Sequence, residues 1–328
     1  MLPPAQSAVS DLVERLRSGD TRALARAISL VENDAAGAPD LLSGCFRYSG
    51  HALRLGVTGA PGAGKSTLVD RLARAWRGAG ISVGVIAVDP SSAFTGGAIL
   101  GDRIRMQERI GDDGLYVRSM ATRGALGGLA RATADVAQVI EASGKDVVLV
   151  ETVGVGQDEI DIVRLADITV VMLVPGMGDD VQTIKAGVME IADIFVINKA
   201  DRDGADRVER EIRAMQSLAG DRSARVTPIV KTIATTGEGL DDLLGAIKEM
   251  KQWLAQEGRL EARRKVYWRE RIEQMVQLAL FKAARTHGLS SEELSEHAER
   301  VAAGEEDPYR LAPKLVAQVF DTRGARSR

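Results

Sequence analysis

Gly59-Ala60-Pro61-Gly62-Ala63-Gly64-Lys65-Ser66 is the stretch on which the fold turns. It has the spacing glycine, four residues, glycine, lysine, serine. It follows an apolar β-type run, Leu55 to Thr58, and opens a segment of helical period through Leu68, Val69, Leu72 and Ala73. That order of strand, glycine-rich turn and helix is the P-loop arrangement. Glycines let successive backbone N–H groups curl around phosphate oxygens, and the helix start adds donors and a positive dipole end. Lys65 would reach the β- and γ-phosphates, and the Ser66 hydroxyl would sit on Mg²⁺. The plainer alternative, an incidental glycine-rich turn, does not account for the full spacing in this setting.

Outward from the P-loop, short β-rich runs alternate with helical segments. The runs are Leu55–Thr58, Val83–Val88, Tyr116–Met120, Val147–Val150, Ile168–Val174, Ile194–Ile197 and Val226–Ile233. Several are apolar at nearly every position, as strands covered on both faces are. This predicts an α/β fold with a mostly parallel central sheet. Residues 8–32 read as a helical hairpin broken at Ser18-Gly19-Asp20, with Thr21 as the second N-cap. After Gly239 the chain reads as helical: a stripe of Leu240, Leu243, Leu244, Ile247, Met250 and Leu254, then a segment carrying Ile272, Val276, Leu280 and Phe281. Two more helices are expected over Ser290–Ala303 and Leu311–Phe320. The expected division is an N-terminal helical segment (1–48), a nucleotide domain (49–250) and a C-terminal helical arm (251–328).

The chain has 328 residues, with 43 Lys plus Arg, 46 Asp plus Glu and a net charge of −3. That near-balance argues against a polyanion binder. Arg263-Arg264-Lys265-Val266-Tyr267-Trp268-Arg269 interleaves basic and aromatic residues, but reads better as a charged helix face or a dimer contact. One cysteine, Cys45, excludes an internal disulfide, and His51, His287 and His297 lack metal-ligand spacing. Neither a leader pattern nor an apolar run long enough to span a bilayer is expected, which points to a cytoplasmic protein with no membrane partner.

The base is named by Asn198-Lys199-Ala200-Asp201, directly after a strand and about 130 residues beyond the P-loop. An Asp there accepts from guanine N1–H and the 2-amino group. Adenine offers neither donor pair, at a cost of about 1–3 kcal/mol. Lys199 would lay its stem along the base and Asn198 would brace the P-loop. Glu151-Thr152-Val153-Gly154 resembles the γ-phosphate-sensing switch of GTPases, with Glu where Asp is commoner. Glu151 would serve Mg²⁺, and the Gly154 N–H would serve the γ-phosphate. Gln157, three residues past that glycine rather than next to it, is a candidate orienter of water. Asp89 ends another strand and reads as a Mg²⁺ or water ligand, or as a turn cap. Asp102 reads equally as a ligand or as a helix cap. The loop Asp179 to Lys185 is either a solvated lead-in or a further switch.

GAPGAGKS (59–66), VDPSSAFTGGAILGDRIRM (88–106), ETVGVGQDE (151–159) and NKAD (198–201) together closely resemble the methylmalonyl-CoA mutase-associated GTPases, the MeaB/MMAA family. The resemblance covers nearly the whole chain. It implies a SIMIBI-class P-loop G domain and a homodimer held by C-terminal helices. It also implies GTP and GDP as ligands with Mg²⁺, and a chaperone role toward adenosylcobalamin-dependent methylmalonyl-CoA mutase, gating cofactor loading and protecting that enzyme. Carried over by motif, Gly59 through Thr67 and Gly154 contact nucleotide. Asn198, Lys199 and Asp201 contact guanine. Ser66, Asp89, Asp102 and Glu151 line the metal, and Gln182 and Lys185 are the actors of the mutase-responsive switch, beside Lys65, Asp89 and Glu151 in catalysis. One departure stands out: the family's Ser-Ala base motif reads Ile233-Ala234-Thr235 here. The Ala234 N–H would still face guanine O6, without the neighbouring hydroxyl. Two other readings remain: a P-loop kinase or ATPase acting on a transport protein, and a nickel-insertion GTPase. The guanine motif argues against the first, and the scattered histidines against the second.

Overall fold

A computed structural model describes residues 4–89, 112–121, 128–152, 164–176, 191–218, 225–287 and 289–326. Its centre is a parallel sheet of seven described strands: β1 (Leu53–Gly59), β2 (Val83–Asp89), β3 (Leu115–Ala121), β4 (Val147–Glu151), β5 (Ile168–Leu173), β6 (Ile194–Asn198) and β7 (Ile229–Thr232). Their order is β3-β2-β4-β1-β5-β6-β7. The P-loop strand β1 is therefore central, paired with β4 on one side and β5 on the other. Connections leave its two flanks in opposite directions, which opens a crevice above its carboxyl end. β4, β5 and β6 are buried at every position, and β1 at all but Gly59, in keeping with their mostly apolar runs.

Each face of the sheet has its own core. On one, α4 (Lys65–Gly78) contributes Leu68, Val69 and Leu72, and α7 (Leu240–Leu254) contributes Leu243, Ile247, Met250 and Leu254; they pack over Leu55, Val57, Val85, Val170 and Val196. On the other, α6 (Ala205–Leu218) seats Val208 and Ile212 against Val171, Phe195 and Ile197. α1 (Pro4–Arg17), α2 (Thr21–Glu32) and α3 (Ala38–Phe46) fold together and pack against α5 (Gly128–Ala142). Leu16, Ile28 and Leu41 are fully buried there. Burial pushes the Cys45 thiol in α3 up to about 12, so it stays a protonated core group.

Of the boundaries that differ from the sequence reading, three have a visible cause. The cap of α2 is Asp20, not Thr21: Asp20 is extended and its carboxylate accepts from the N–H groups of Arg22 and Ala23. β7 begins at Ile229 rather than Val226. Pro228 has no N–H for the ladder, and Val226 is exposed. The last helix begins at Pro308 rather than Leu311, since proline suits a first helical position and the Asp307 carboxylate accepts from the Tyr309 N–H.

The chain divides into two compact units, Met1–Arg264 and Lys265–Arg328. In the first, the start of α8 (Arg259–His287) is tied to the amino ends of the central strands. Asp167 accepts from the Arg54 N–H at 3.0 Å and from Arg264 at 2.8 and 2.9 Å, and Arg263 grips Asp193 at 2.8 and 2.9 Å. In the second, Ser290 and Glu293 form a capping box at the head of α9 (Ser291–Ala302), and α10 (Pro308–Arg326) follows. Along α8, Ile272, Met275, Val276, Leu280 and Phe281 are exposed. No helix among the described residues is long and apolar enough to cross a membrane.

Replacing Asp167 with Ala leaves the Arg54 N–H and the Arg264 guanidinium without their carboxylate. A loss of about 3 kcal/mol in unfolding free energy is expected in urea titrations. A midpoint equal to that of the unaltered chain would show that this clamp contributes nothing.

Candidate nucleotide site

The P-loop is shaped by two tight approaches. Gly59 has φ 147°, and a Cβ there would lie 2.3 Å from the Met172 carbonyl oxygen, its partner across the β1–β5 pairing. Gly64 has φ 93°, and a Cβ would lie 2.4 Å from Asn198 Nδ2. Both positions require glycine on sterics as well as conformation. Gly64 also supplies no side-chain cap, so the first amides of α4 stay open to an anion.

Lys65 is the first residue of α4 and is 6% exposed. Its Nζ donates to the carbonyls of Gly59 at 2.7 Å and Ala60 at 3.0 Å, so the loop closes around the ammonium. Ser66 Oγ donates to Glu151 Oε1 at 2.5 Å. Glu151 ends β4 and is buried, and beside it Thr152 donates its hydroxyl to Thr58 Oγ1 at 2.9 Å. The hydroxyl and carboxylate that meet here are the hard oxygen donors that Mg²⁺ takes. Ala60 and Thr67 are half-buried, Ala63 is buried, and Pro61 and Gly62 are exposed at the rim. Among the described residues no cluster of three or more His, Cys, Asp or Glu could hold a metal.

Asp89 is the last residue of β2, beside Ala121 of β3, on the same carboxyl edge as Glu151. Asp102, Gly154, Gln157, Gln182 and Lys185 lie outside the described residues, as does the Asp179–Asp180 loop.

The second half of the site is built on Asn198, 2% exposed at the end of β6. Its Nδ2 donates to the Ala63 carbonyl of the P-loop at 2.7 Å. Its Oδ1 accepts from the Ala234 N–H at 3.0 Å and the Thr232 hydroxyl at 3.1 Å. One amide thus joins the P-loop to the Ile233–Thr235 loop. Lys199 stands in the left-handed region at φ 57°, which lets its side chain turn back so that Nζ donates to the Gly62 carbonyl at 2.8 Å. Its stem spans from the Asn198 loop to the P-loop. Asp201 is exposed in the turn that follows. The structure therefore brings together Gly59–Thr67, Glu151 and Asn198–Asp201 with Ile233–Thr235. The Ala234 N–H, expected to face the base, is directed at Asn198 in this arrangement.

Two members of the site have no motif of their own. Thr232 completes the acceptor side of Asn198 from the end of β7. Arg71, inside α4, donates Nε to the Ala234 carbonyl at 3.1 Å and a second nitrogen to the Thr235 carbonyl. A threonine at the end of β7 was a legible signal; an arginine within a helix was not.

Removing the Asn198 amide, as in Asn198→Ala, strands the Ala63 carbonyl, the Ala234 N–H and the Thr232 hydroxyl. About 2–4 kcal/mol of stability should be lost in denaturant melts, with guanine-nucleotide affinity falling about a hundredfold by calorimetry. Affinity equal to that of the unaltered chain would remove Asn198 from the site.

Comparison with known proteins places this geometry. Residues 24–288 match the family model described as methylmalonyl Co-A mutase-associated GTPase MeaB. A Pyrococcus abyssi protein, whose name gives it provisionally as a GTPase, is 48% identical over 315 residues, covering 95% of this chain and 97% of its own. The Mus musculus protein named methylmalonic aciduria type A homolog, mitochondrial, is 33% identical over 97% of this chain and 81% of its own. The crystal structure of a LAO/AO transport system kinase superposes with a TM-score of 0.69 at 26% identity, covering 98% of this chain and 99% of that one. The chain belongs to the methylmalonyl Co-A mutase-associated GTPase MeaB family and is a P-loop GTPase that binds GTP and GDP.

Proposed function

We propose that this GTPase serves as a nucleotide-gated chaperone of adenosylcobalamin-dependent methylmalonyl-CoA mutase in the cytoplasm, controlling cofactor loading and protecting the mutase from inactivation. The observation that carries the nucleotide half is the Asn198 amide, which ties the phosphate loop to the loop assigned to the base. The family name supports the mutase as partner.

In this reading the P-loop amides and the open end of α4 hold the triphosphate. Lys65 exchanges the Gly59 and Ala60 carbonyls for β- and γ-phosphate oxygens. Asp201 accepts from guanine N1–H and the 2-amino group, and Lys199 covers the base edge. Ser66 and Glu151 would hold Mg²⁺, with Asp89 and Asp102 assisting; the ion would supply charge neutralisation at the phosphates when bound. Water attacks the γ-phosphorus in line, the bond to the β–γ bridging oxygen breaks, and GDP and inorganic phosphate leave. In this reading no arginine is supplied in cis to the γ-phosphate, so turnover alone is slow and rises when the mutase engages the loop that carries Gln182 and Lys185. The helices after residue 250 form a homodimer arm, supported by the exposed apolar positions along α8.

Hydrolysis of GTP, with ATP in parallel, should be slow, specific for GTP and raised by added mutase. A GTP rate indifferent to mutase would sink the coupling; equal use of ATP would sink the base assignment. Ile272→Glu combined with Val276→Glu should convert a sedimenting dimer to monomer, and an unchanged sedimentation coefficient would place the interface elsewhere.

A further inference from the structure

Arg71 is seven residues into α4, on the helix that begins with the P-loop lysine, yet its side-chain hydrogen bonds go to the 234–235 loop rather than to a phosphate motif. It is half-buried, and its guanidinium spans two consecutive carbonyls of the base loop, Ala234 at 3.1 Å from Nε and Thr235 from a terminal nitrogen. Gly237, at φ 92°, leaves room beside it: a Cβ there would lie 3.8 Å from Arg71 Nη1. The loop is otherwise a small closed turn. The Ile233 carbonyl accepts from the N–H groups of Thr236 at 3.1 Å and Gly237 at 2.9 Å, and the Ile233 N–H donates to the Glu238 carbonyl at 3.0 Å.

Two external anchors therefore set its orientation. Asn198 takes the Ala234 N–H from one side, and Arg71 takes the two carbonyls from the other. In a trans peptide the C=O and the following N–H point opposite ways, and the described chain has no cis bond. Holding the Ala234 carbonyl on Arg71 aims the Thr235 N–H away from α4. That N–H has no acceptor among the described residues. A planar guanidinium with two donors fixes both position and rotation of the loop, which a single donor would not.

We propose that Arg71 is a positioning residue for guanine selectivity: it orients the 234–235 backbone so that its amide edge meets the 6-oxo group of the base. The proposal rests on the guanine reading of this site. Arg71 acts through the loop and makes no contact with the reacting phosphates, so its loss should change base recognition and spare phosphate binding.

The test uses the full-length chain with GTP, ATP, 6-thio-GTP and inorganic tripolyphosphate. The thio analogue keeps N1–H and the 2-amino group but presents a larger, weaker acceptor at position 6. The unaltered chain should prefer GTP to both ATP and the thio analogue. Arg71→Ala should raise the KM for GTP about tenfold at little-changed kcat, and narrow the preference for GTP over 6-thio-GTP. Competition by tripolyphosphate, which reads the P-loop alone, should stay as in the unaltered chain. Arg71→Lys, with one donor head, should fall between. Wild-type KM and wild-type 6-thio discrimination in Arg71→Ala would overturn the proposal. Parallel weakening of GTP and tripolyphosphate would overturn it too, because Arg71 would then be steadying α4 as a whole. An unaltered chain that binds ATP as well as GTP would bring down the guanine reading itself, before any variant is consulted.

Discussion

The Asn198 side chain is the contact on which the site depends. Its amide is nearly sealed from water and satisfied on both ends: Nδ2 by a P-loop carbonyl, Oδ1 by a backbone N–H and a hydroxyl from the β7 end. A buried amide with unmet bonds is costly, so the two loops are held in one relative geometry by the penalty for separating them. The requirement propagates outward. Gly64 must lack a side chain because Nδ2 occupies the space where its Cβ would stand. Lys199 takes a left-handed backbone, and its Nζ reaches the Gly62 carbonyl.

The sheet order explains why such a contact is available. β1 and β6 are separated only by β5, so the turns at their carboxyl ends overhang one crevice. The apolar cores on the two faces fix the strands in register, and register fixes which residues reach the edge. Val57 is paired with Glu151 and Gly59 with Met172, which sets the Ser66 hydroxyl at bonding distance from the Glu151 carboxylate. At the opposite edge, Asp167 and Asp193 receive Arg264 and Arg263, so the start of α8 is fixed where no nucleotide group is required.

Much of this was legible because the signals are local. A glycine-rich turn between an apolar run and a helical stripe states its own geometry, and all seven β-rich runs became strands. Burial on both faces gives the inner strands β1, β4, β5 and β6 their mostly apolar signature, while the edge strands β3 and β7 are only partly buried. Boundaries were less legible where a neighbouring residue competes. Asp20 outranks Thr21 as a cap because its carboxylate reaches two amides, and Pro228 delays β7 because it brings no N–H. Long-range partners of charged residues were not legible at all. Arg263 and Arg264 read as part of a basic, aromatic face, yet their guanidiniums bond carboxylates 70 and 97 residues away. Arg71 is the same case, since its acceptors are backbone carbonyls 163 and 164 positions along the chain, and carbonyls leave no trace in residue identity.

The most direct test is a change of base preference by a single atom pair. Asp201 is assigned to guanine because a carboxylate accepts two N–H bonds, whereas an amide in its place donates one. Xanthine carries a carbonyl where guanine carries the 2-amino group, so Asp201→Asn should bind xanthosine triphosphate and lose guanosine triphosphate, with both affinities read by calorimetry on the full-length chain. A reversed preference is the result this account predicts. An Asp201→Asn chain that still prefers guanosine triphosphate would contradict it and leave the base site to be found elsewhere.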